Sequence, residues 1–475
     1  MSSASRASLG SFIESLGPEL LRVATPMATA YEITALQHVL DGQGRYPVVL
    51  IDRPTLADGT TSSFPLVCNL TASRSLVAET LSLASHREAA MALSSAAHDG
   101  IEPLRVDRAH AAIAEVEQIE DADLTRLPAT TQHLLDPGSY LTAAHATTVD
   151  PDSRIDNTAI QRCWIKGPKR MSWYPYPSSH NAINLRKWWA RGKPCPVAFW
   201  IGHHPAIVIG SQAKLAYPRT HWDAAGALAA QAVALTPSLT LGDDILVPAD
   251  AEIVIEAWAW PDDVEADGPF GEFTGYLGAQ TVAPVVRVTA ITHRRGAIYH
   301  DYGSGLSDML VPDNMSMEGK LFSLIRQVAP SLRNVHVPSS GRRFHAWLQL
   351  QDPAPGEARD ALAAAMSYRR LKTVAAFDDD IDIFDEARVL WALATRVQWQ
   401  RDALRLDGLS VSTLDPSLAA GARTGSKFGI DATLPQRASA GGARPSPPVA
   451  QSPAAALAAA DAVLAGRAAG GWPCQ

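Results

Sequence analysis

EIVIEAWAWPDDVEADGPFGEFTGYLGAQTVAPVVRVTAIT, residues 252–292, holds two runs rich in β-branched and aromatic residues on either side of a turn rich in glycine and proline. Glu252–Trp260 and Val285–Thr292 read as strands, because such side chains suit a pleated, half-buried surface. Val197–Gly202 (VAFWIG) and Ala206–Gly210 (AIVIG) read the same way, and one helix is expected near Trp222–Val233. From Asn157 to Tyr302 the chain is therefore expected to be β-rich. Short antiparallel strands around one helix suit a barrel.

Both flanks alternate helix and strand. Upstream, helical periodicity covers Leu9–Val23 and Ser73–Ala97, YPVVLID (Tyr46–Asp52) reads as a buried strand, and Gly100–Arg126 reads as a polar link. Downstream, Met315–Ala329 and Glu357–Leu371 read as helices and Phe344–Gln351 and Thr373–Asp378 as strands. The acidic run Asp378–Glu386 leads into an amphipathic helix ending at Arg396. The helix macrodipole favours acids at such a start, so capping and intersubunit ion pairing are read there in preference to metal binding. The expected fold class is α/β multi-domain: an N-terminal α/β domain (1–115), a central β domain with the chemical motifs (116–310), and a C-terminal α/β domain (311–435). An Ala/Pro-rich tail (436–475) follows, with one short helix at Ala454–Ala468, as a flexible segment or a docking arm.

The chain has 475 residues, 47% hydrophobic and 19% charged, with a net charge of -8 and a pI near 6.0, which describes a soluble globular protein of several domains. That charge argues against a nucleic-acid or anionic-membrane partner. Cys68, Cys163, Cys195 and Cys474 lie far apart and form no CxxC pair, so neither a thiolate zinc site nor a disulfide framework is expected. The opening MSSASRASLG lacks a signal-like apolar core, and no run approaches the roughly eighteen apolar residues of a membrane span. A cytoplasmic location is expected.

The turn DGPFGEFTGY sets Asp267 and Glu272 five residues apart. On a regular strand, positions five apart face opposite ways, so the two acids meet only where the backbone turns sharply. Arg162 in DNTAIQR (Asp156–Arg162) offers a guanidinium, and two carboxylates held near one Arg can share a proton at neutral pH. A hairpin turn with a surface salt bridge explains the ten residues equally well. Asn157 and His180 (in PYPSSHNAIN) bring an amide oxygen and an imidazole, the first suiting hard cations and the second many metals.

In order and approximate spacing, DNTAIQR, SSHNAIN, DGPFGEFTGY, FDDDIDIFDEARVLWALATR and GSKFGIDAT (Gly425–Thr433) resemble the motifs of the UbiD family of decarboxylases, which use prenylated FMN. The likeness extends to NLTASRSL near Asn69 and VPADAEIVIE near Val247. It implies an N-terminal α/β domain, a central split β-barrel of flavin-reductase type, and a C-terminal α/β domain that drives dimerisation. It also implies reversible, non-oxidative decarboxylation, in which the cofactor accepts the electrons left by departing CO2.

Carried over by position, the resemblance makes Glu272 the acid that protonates the carbon after CO2 has left and Arg162 the group that orients the substrate carboxylate and contacts the flavin. Asp267 stands where the family commonly places a Glu bonded to that Arg. The shorter side chain leaves open whether the Arg contact survives or the carboxylate sits too far away. Asn157 and His180 correspond to metal ligands. The family's third ligand, a Glu, is replaced by His221 in THWDAAGAL, with Asp223 as the alternative; His suits Mn2+ better than Mg2+. Lys427 corresponds to a lysine near the flavin phosphate. Ala159, Ile160, Gln161, Ser179, Ser211 and Gln212 are the remaining candidates for cofactor contact, and Lys214 stands where relatives often carry Pro. Implied cofactors are prenylated FMN, a divalent metal and K+; implied partners are a flavin prenyltransferase as cofactor supplier and a second copy of the chain in a homodimer.

The expected function is a prenylated-FMN decarboxylase acting on an α,β-unsaturated carboxylic acid. Ala-rich, Arg-over-Lys composition and the departures at Asp267 and His221 favour a natural-product member that turns a polyketide's unsaturated acid into a terminal alkene or diene, in resemblance to the decarboxylase of tautomycetin biosynthesis, which no motif carries. The alternatives are an aromatic or heteroaromatic acid decarboxylase or carboxylase, a catalytically silent flavin-binding protein, and a metal-dependent hydrolase built on Asn157, His180 and His221. Trp164, Trp173, Trp188 and Trp189 are read as core in preference to a pocket wall.

Overall fold

In the computed structural model of the chain, which describes residues 8–419, 421–434, 450 and 452–468, the apolar run at Glu252–Trp260 does not stop at Trp260 but forms a strand of 15 residues, Ile253–Asp267. Residues 253–257, Ala259 and Asp267 are buried, and from Trp260 to Ala266 exposed and partly buried positions take turns. The pairing register slips between Ala259 and Val264, and Asp262 takes a φ of +62°, the marks of a β-bulge at Pro-Asp-Asp. Those residues look like a turn in sequence, which is why the strand is expected to end early. Its continuation carries Asp267 from the sheet to the functional site.

This strand pairs antiparallel with Cys195–Ile201 on one side and Thr281–His293 on the other, at the centre of a nine-stranded sheet. His145–Val149 and Asp156–Ile160 extend one side, and Arg170–Trp173, Cys163–Gly167 and Tyr140–Leu141 the other. A four-stranded sheet joins Leu20–Val23, Val48–Ile51 and Leu66–Cys68 to Tyr299–His300, so an N-terminal sheet takes its last strand from beyond the central one. A five-stranded sheet holds Leu332–His336, His345–Leu350, Thr373–Asp378, Thr424–Asp431 and Ala403–Ser410. Residues 1–432 form one unit. Residues 433–475 form a second, in which the helix Ala454–Ala468 lies where the alanine run predicts it. Cys474 and most of the remaining tail lie outside the described residues.

Several expected elements are corrected. The helix expected over Leu9–Val23 is α1 (Leu9–Ser15), broken at Gly17 and Pro18 before a strand begins at Leu20. Other helices in this part are α2 (Glu32–Gly42), α3 (Arg74–Thr80) and α4 (Ala89–Ala96), the last two dividing the run expected over Ser73–Ala97. The central segment contains three helices where one is expected: α5 (His180–Ala190), α6 (Pro205–Gly210) and α7 (Trp222–Ala229). AIVIG is thus helix and not strand. His204 caps it by accepting from the Ala206 N–H at 3.3 Å, and Pro205 occupies the first turn, where its missing N–H costs nothing. A short apolar run carries no period that separates the two states.

The helix expected from Met315 starts earlier, as α8 (Ser307–Arg326), with Pro312 inside it. Pro312 cannot donate to the Asp308 carbonyl one turn before. The Thr71 hydroxyl lies 2.9 Å from that oxygen and takes the vacant position. The Asp308 carboxylate in turn accepts from the Asn69 and Thr71 N–H groups at 2.7 and 2.9 Å. α9 (Glu357–Met366) and α10 (Glu386–Arg396) complete the set that matters here. The acids before α10 cap it and pair within the chain: Asp385 accepts from Ala387 and Arg388 N–H, Asp382 meets Arg87, and Asp380 meets Arg396.

α6 and α7 pack so closely that a Cβ placed on Gly210 would lie 2.3 Å from the Ala225 Cα. Ser211 follows the one helix and His221 precedes the other, so this contact sets two candidate site residues. Gly210→Ala is expected to lower the unfolding free energy by about 1–3 kcal/mol, the usual cost of overpacking, as a shifted urea midpoint with unchanged slope.

Candidate active site

A cavity of about 540 Å³ opens among the Asp156–Ile160 strand and the loop after it, the start of α5, the loop after α6, the turn Phe270–Glu272, α8, and the loops carrying Arg343 and Arg370. Thr142 and Tyr302 also line it.

Arg162 follows the Asp156–Ile160 strand and is nearly buried, its side chain 11% exposed. Its Nε and Nη2 donate to Asp267 Oδ2 at 3.1 and 2.9 Å, and its Nη1 donates to Glu272 Oε1. The shortened acid at position 267 therefore keeps the Arg contact. Asp267 is fully buried, and its other oxygen accepts from Ser172 Oγ at 2.7 Å. Tyr174 and Phe270 stack on the guanidinium, with Cζ 4.6 and 5.5 Å from their ring centroids. Gly268, with φ +82°, turns the chain out of the strand, and its N–H donates to the Tyr140 hydroxyl at 3.1 Å. A short ladder between Phe270–Gly271 and Leu277–Gly278 then brings Glu272 back to the same guanidinium. The surface-turn reading of DGPFGEFTGY is thereby excluded.

Burial pushes the Glu272 carboxyl above its ordinary pKa, and Arg162 works against that rise without cancelling it. For Arg162 itself, burial favours the neutral form, but Glu272 and Asp267 prevail and hold its pKa above the ordinary value.

Asn157, His180 and His221 converge at another wall of the cavity. Asn157 Oδ1 lies 3.1 Å from His180 Nδ1, and Asn157 Nδ2 donates to Asn181 Oδ1 at 2.8 Å, which fixes the amide. The His180 and His221 ring centroids are 6.2 Å apart. His221 Nδ1 is buried without a hydrogen-bond partner. Burial, reinforced by His180 and Lys214, lowers the His221 pKa to about 3, which keeps the imidazole in the form that binds a cation. An amide oxygen beside two neutral imidazoles is a donor set a divalent cation could use, although no group of three or more His, Cys, Asp or Glu suited to a metal occurs among the described residues. Asp223 does not line the cavity: it sits on α7 against Gly100, with its carbonyl accepting from the Ile101 N–H.

Ala159, Ile160, Gln161, Ser179, Ser211 and Gln212 all line the cavity. Gln161 is held by Trp173 Nε1 at 2.5 Å and Asn181 Nδ2 at 3.2 Å, and Ser179 caps α5. Lys427 is not brought to the cavity. Its buried ammonium donates to the Met366 and Tyr368 carbonyls at 2.9 and 2.7 Å, so it anchors the end of α9, and burial lowers its pKa to about 8. Trp173 belongs to the core, Trp188 and Trp189 are partly buried against it, and Trp164 stacks on Tyr140 outside the cavity lining. Sequence reasoning missed Asp313, Arg343 and Arg370, which line the cavity beside Lys214. None lies in a motif, and only the packing of α8 and the C-terminal sheet assembles them.

Asp267→Ala would leave Arg162 buried with one anion removed. The expected loss is about 3–5 kcal/mol of stability, measured by urea unfolding, against under about 1 kcal/mol if the three groups were independent.

Three family models match the chain: the 3-octaprenyl-4-hydroxybenzoate carboxy-lyase N-terminal domain at residues 17–94, its Rift-related domain at 104–306 and its C-terminal domain at 314–432. Among solved structures, the UbiD-class enzyme HmfF from Pelotomaculum thermopropionicum in complex with FMN is 34% identical, with 93% of this chain and 97% of that chain covered and a TM-score of 0.84. An evolved dimeric form of that enzyme in complex with prFMN is 33% identical over 92% of this chain and 97% of that chain, TM-score 0.82. The apo 3,4-dihydroxybenzoic acid decarboxylase (AroY) of Klebsiella pneumoniae shares the fold at 24% identity, with 96% and 99% covered and a TM-score of 0.82. No helix among the described residues is long and apolar enough to cross a membrane.

Proposed function

Because the chain belongs to the UbiD family of carboxy-lyases that use prenylated FMN, we propose that it removes CO2 from an α,β-unsaturated carboxylic acid, in polyketide tailoring that yields a terminal alkene or diene. The observation that supports this reading is the pairing of one guanidinium with two carboxylates at the cavity wall, one of them, Glu272, with a raised pKa. When bound, the modified flavin supplies the electron sink that allows the bond to CO2 to break. Arg162 presents a planar fork that orients the substrate carboxylate. Asp267 and Ser172 fix that fork from behind, and Tyr174 and Phe270 keep water from it. Glu272 holds its proton on a carboxyl oxygen and donates it to the carbon that has lost CO2.

Asn157, His180 and His221 would hold a divalent cation, Mn2+ before Mg2+, that neutralises the cofactor phosphate. Ser179 and His180 open α5, where backbone N–H groups favour an anion. We read the nine-stranded sheet as the split barrel of flavin-reductase type, with a homodimer as the working assembly and a flavin prenyltransferase as the source of the cofactor.

The decisive experiment is co-expression with a flavin prenyltransferase, then measurement of CO2 release from cinnamic, dienoic and heteroaromatic acids. Release from the dienoic acids supports the proposal. Release from heteroaromatic acids alone assigns the chain to aromatic substrates, and bound flavin without release from any acid makes it a flavin-binding protein.

Glu272→Gln is expected to reduce turnover at least about 10²-fold, as loss of a positioned acid should, while the flavin spectrum is retained. A raised pKa keeps the proton on Glu272 at higher pH than on an exposed Glu, so wild-type kcat should fall as pH climbs through that raised value, a limb absent from the Gln variant. His221→Ala should weaken Mn2+ binding by more than the roughly tenfold that even a ligand's own hydrogen-bond partner commands, whereas Asp223→Asn should leave the metal content, measured by mass spectrometry, unchanged.

A further inference from the structure

His221 stands at the N-cap position of α7, yet its side chain caps nothing. A hydroxyl one residue earlier takes an N–H of the first turn, Thr220 Oγ1 accepting from Trp222 at 3.3 Å. The imidazole is thereby left to the cavity, its Nδ1 buried without a hydrogen-bond partner and its ring hydrogen-bonded to the Ala213 carbonyl. Both chain neighbours of His221 are tied to one further side chain.

That side chain is Asp156. Its Oδ2 accepts from Trp222 Nε1 at 2.7 Å, and the Thr220 hydroxyl donates to the same carboxylate. Trp222 is buried, with its ring 5.8 Å from that of Trp200, whose own Nε1 donates to Thr158 Oγ1 at 2.9 Å, so the indole that meets Asp156 is fixed by the core. Asp156 begins the strand Asp156–Ile160, and Asn157 follows it, paired with Thr148 of the next strand. Neighbouring residues of a strand point to opposite faces. One dipeptide therefore offers the cavity an amide oxygen through Asn157 and grips the start of α7 through Asp156.

We propose that Asp156 is a positioning residue for the cation site: by bonding the residues before and after His221, it holds that imidazole in reach of a cation shared with Asn157 and His180. The proposal rests on the reading of those three side chains as cation ligands. Asp156 does not line the cavity, so its effect on a cation passes through His221. Groups that only orient a ligand commonly command about 10–100-fold in metal affinity.

The full-length chain is freed of metal with EDTA, saturated with FMN and titrated with MnCl2, with free Mn2+ followed by electron paramagnetic resonance. Asp156→Ala should weaken Mn2+ binding by about tenfold. Asp156→Asn, whose amide oxygen still accepts from Trp222 and Thr220, should keep most of the affinity. Trp222→Phe, which removes one hydrogen bond and keeps an aromatic ring, should cost about fivefold. In a His221→Ala background both losses should vanish, because the ligand through which they act is gone. Unchanged affinity in Asp156→Ala, a loss in Asp156→Asn as large as in Asp156→Ala, or equal losses with and without His221 would each overturn the proposal and leave the cation reading standing. Should Asp156→Ala fail to fold, Trp222→Phe with and without His221 decides by the same rule. Equal Mn2+ affinity of the wild type and His221→Ala removes the cation reading itself, and the proposal with it.

Discussion

The Arg162 guanidinium is shared by two carboxylates that reach it from opposite ends of one turn, and most of the structure can be read as the means of keeping that arrangement buried. A lone guanidinium at this depth would be costly, and so would two unpaired carboxylates. Their mutual compensation depends on the strand Ile253–Asp267 being long enough to deliver Asp267, and on Gly268 turning the chain at once so that Glu272 returns. Ser172 and Tyr140, from two other strands of the same sheet, fix the acid and the turn. The sheet thereby sets the protonation chemistry, since the burial that raises the Glu272 pKa comes from the same packing that aligns the ion pairs.

Sequence motifs identified the cavity wall well where function depends on contiguous residues. DNTAIQR, SSHNAIN and DGPFGEFTGY each contribute lining residues, and Thr373–Asp378 and the amphipathic character of α10 were also readable from local pattern. What could not be read was set by partners far away in the chain. AIVIG is a helix because His204, Pro205 and Ala225 make it one, and the start of α8 depends on a hydroxyl from Thr71. Lys427 sits in a recognisable motif, yet its ammonium is drawn to the carbonyls ending α9. The group around Asp313 gathers side chains from four separate segments, and no spacing rule predicts such a meeting.

The groups around Arg162 and around Asp313 differ in how they treat charge. Around Arg162 one guanidinium faces two carboxylates and burial favours a proton on Glu272, an arrangement that suits a site that must pass a proton without reorganising. Around Asp313 one carboxylate meets Lys214, Arg343 and Arg370, and Glu272 adds a second negative charge near Arg343. His221 presents a third regime, in which burial removes charge from the imidazole and leaves a lone pair free to bind.

The pairing of Tyr299–His300 with Leu66–Cys68 bears on how the chain is made. During synthesis the N-terminal sheet must wait, one edge uncovered, until His300 has left the ribosome, and the whole central sheet is produced in the interval. Contacts this distant in sequence slow folding, and an uncovered strand edge is where nascent chains associate wrongly. Heterologous production should therefore respond more to slower translation and chaperone supply than to changes at the surface, and a fragment ending before Tyr299 is a poor choice of expression unit.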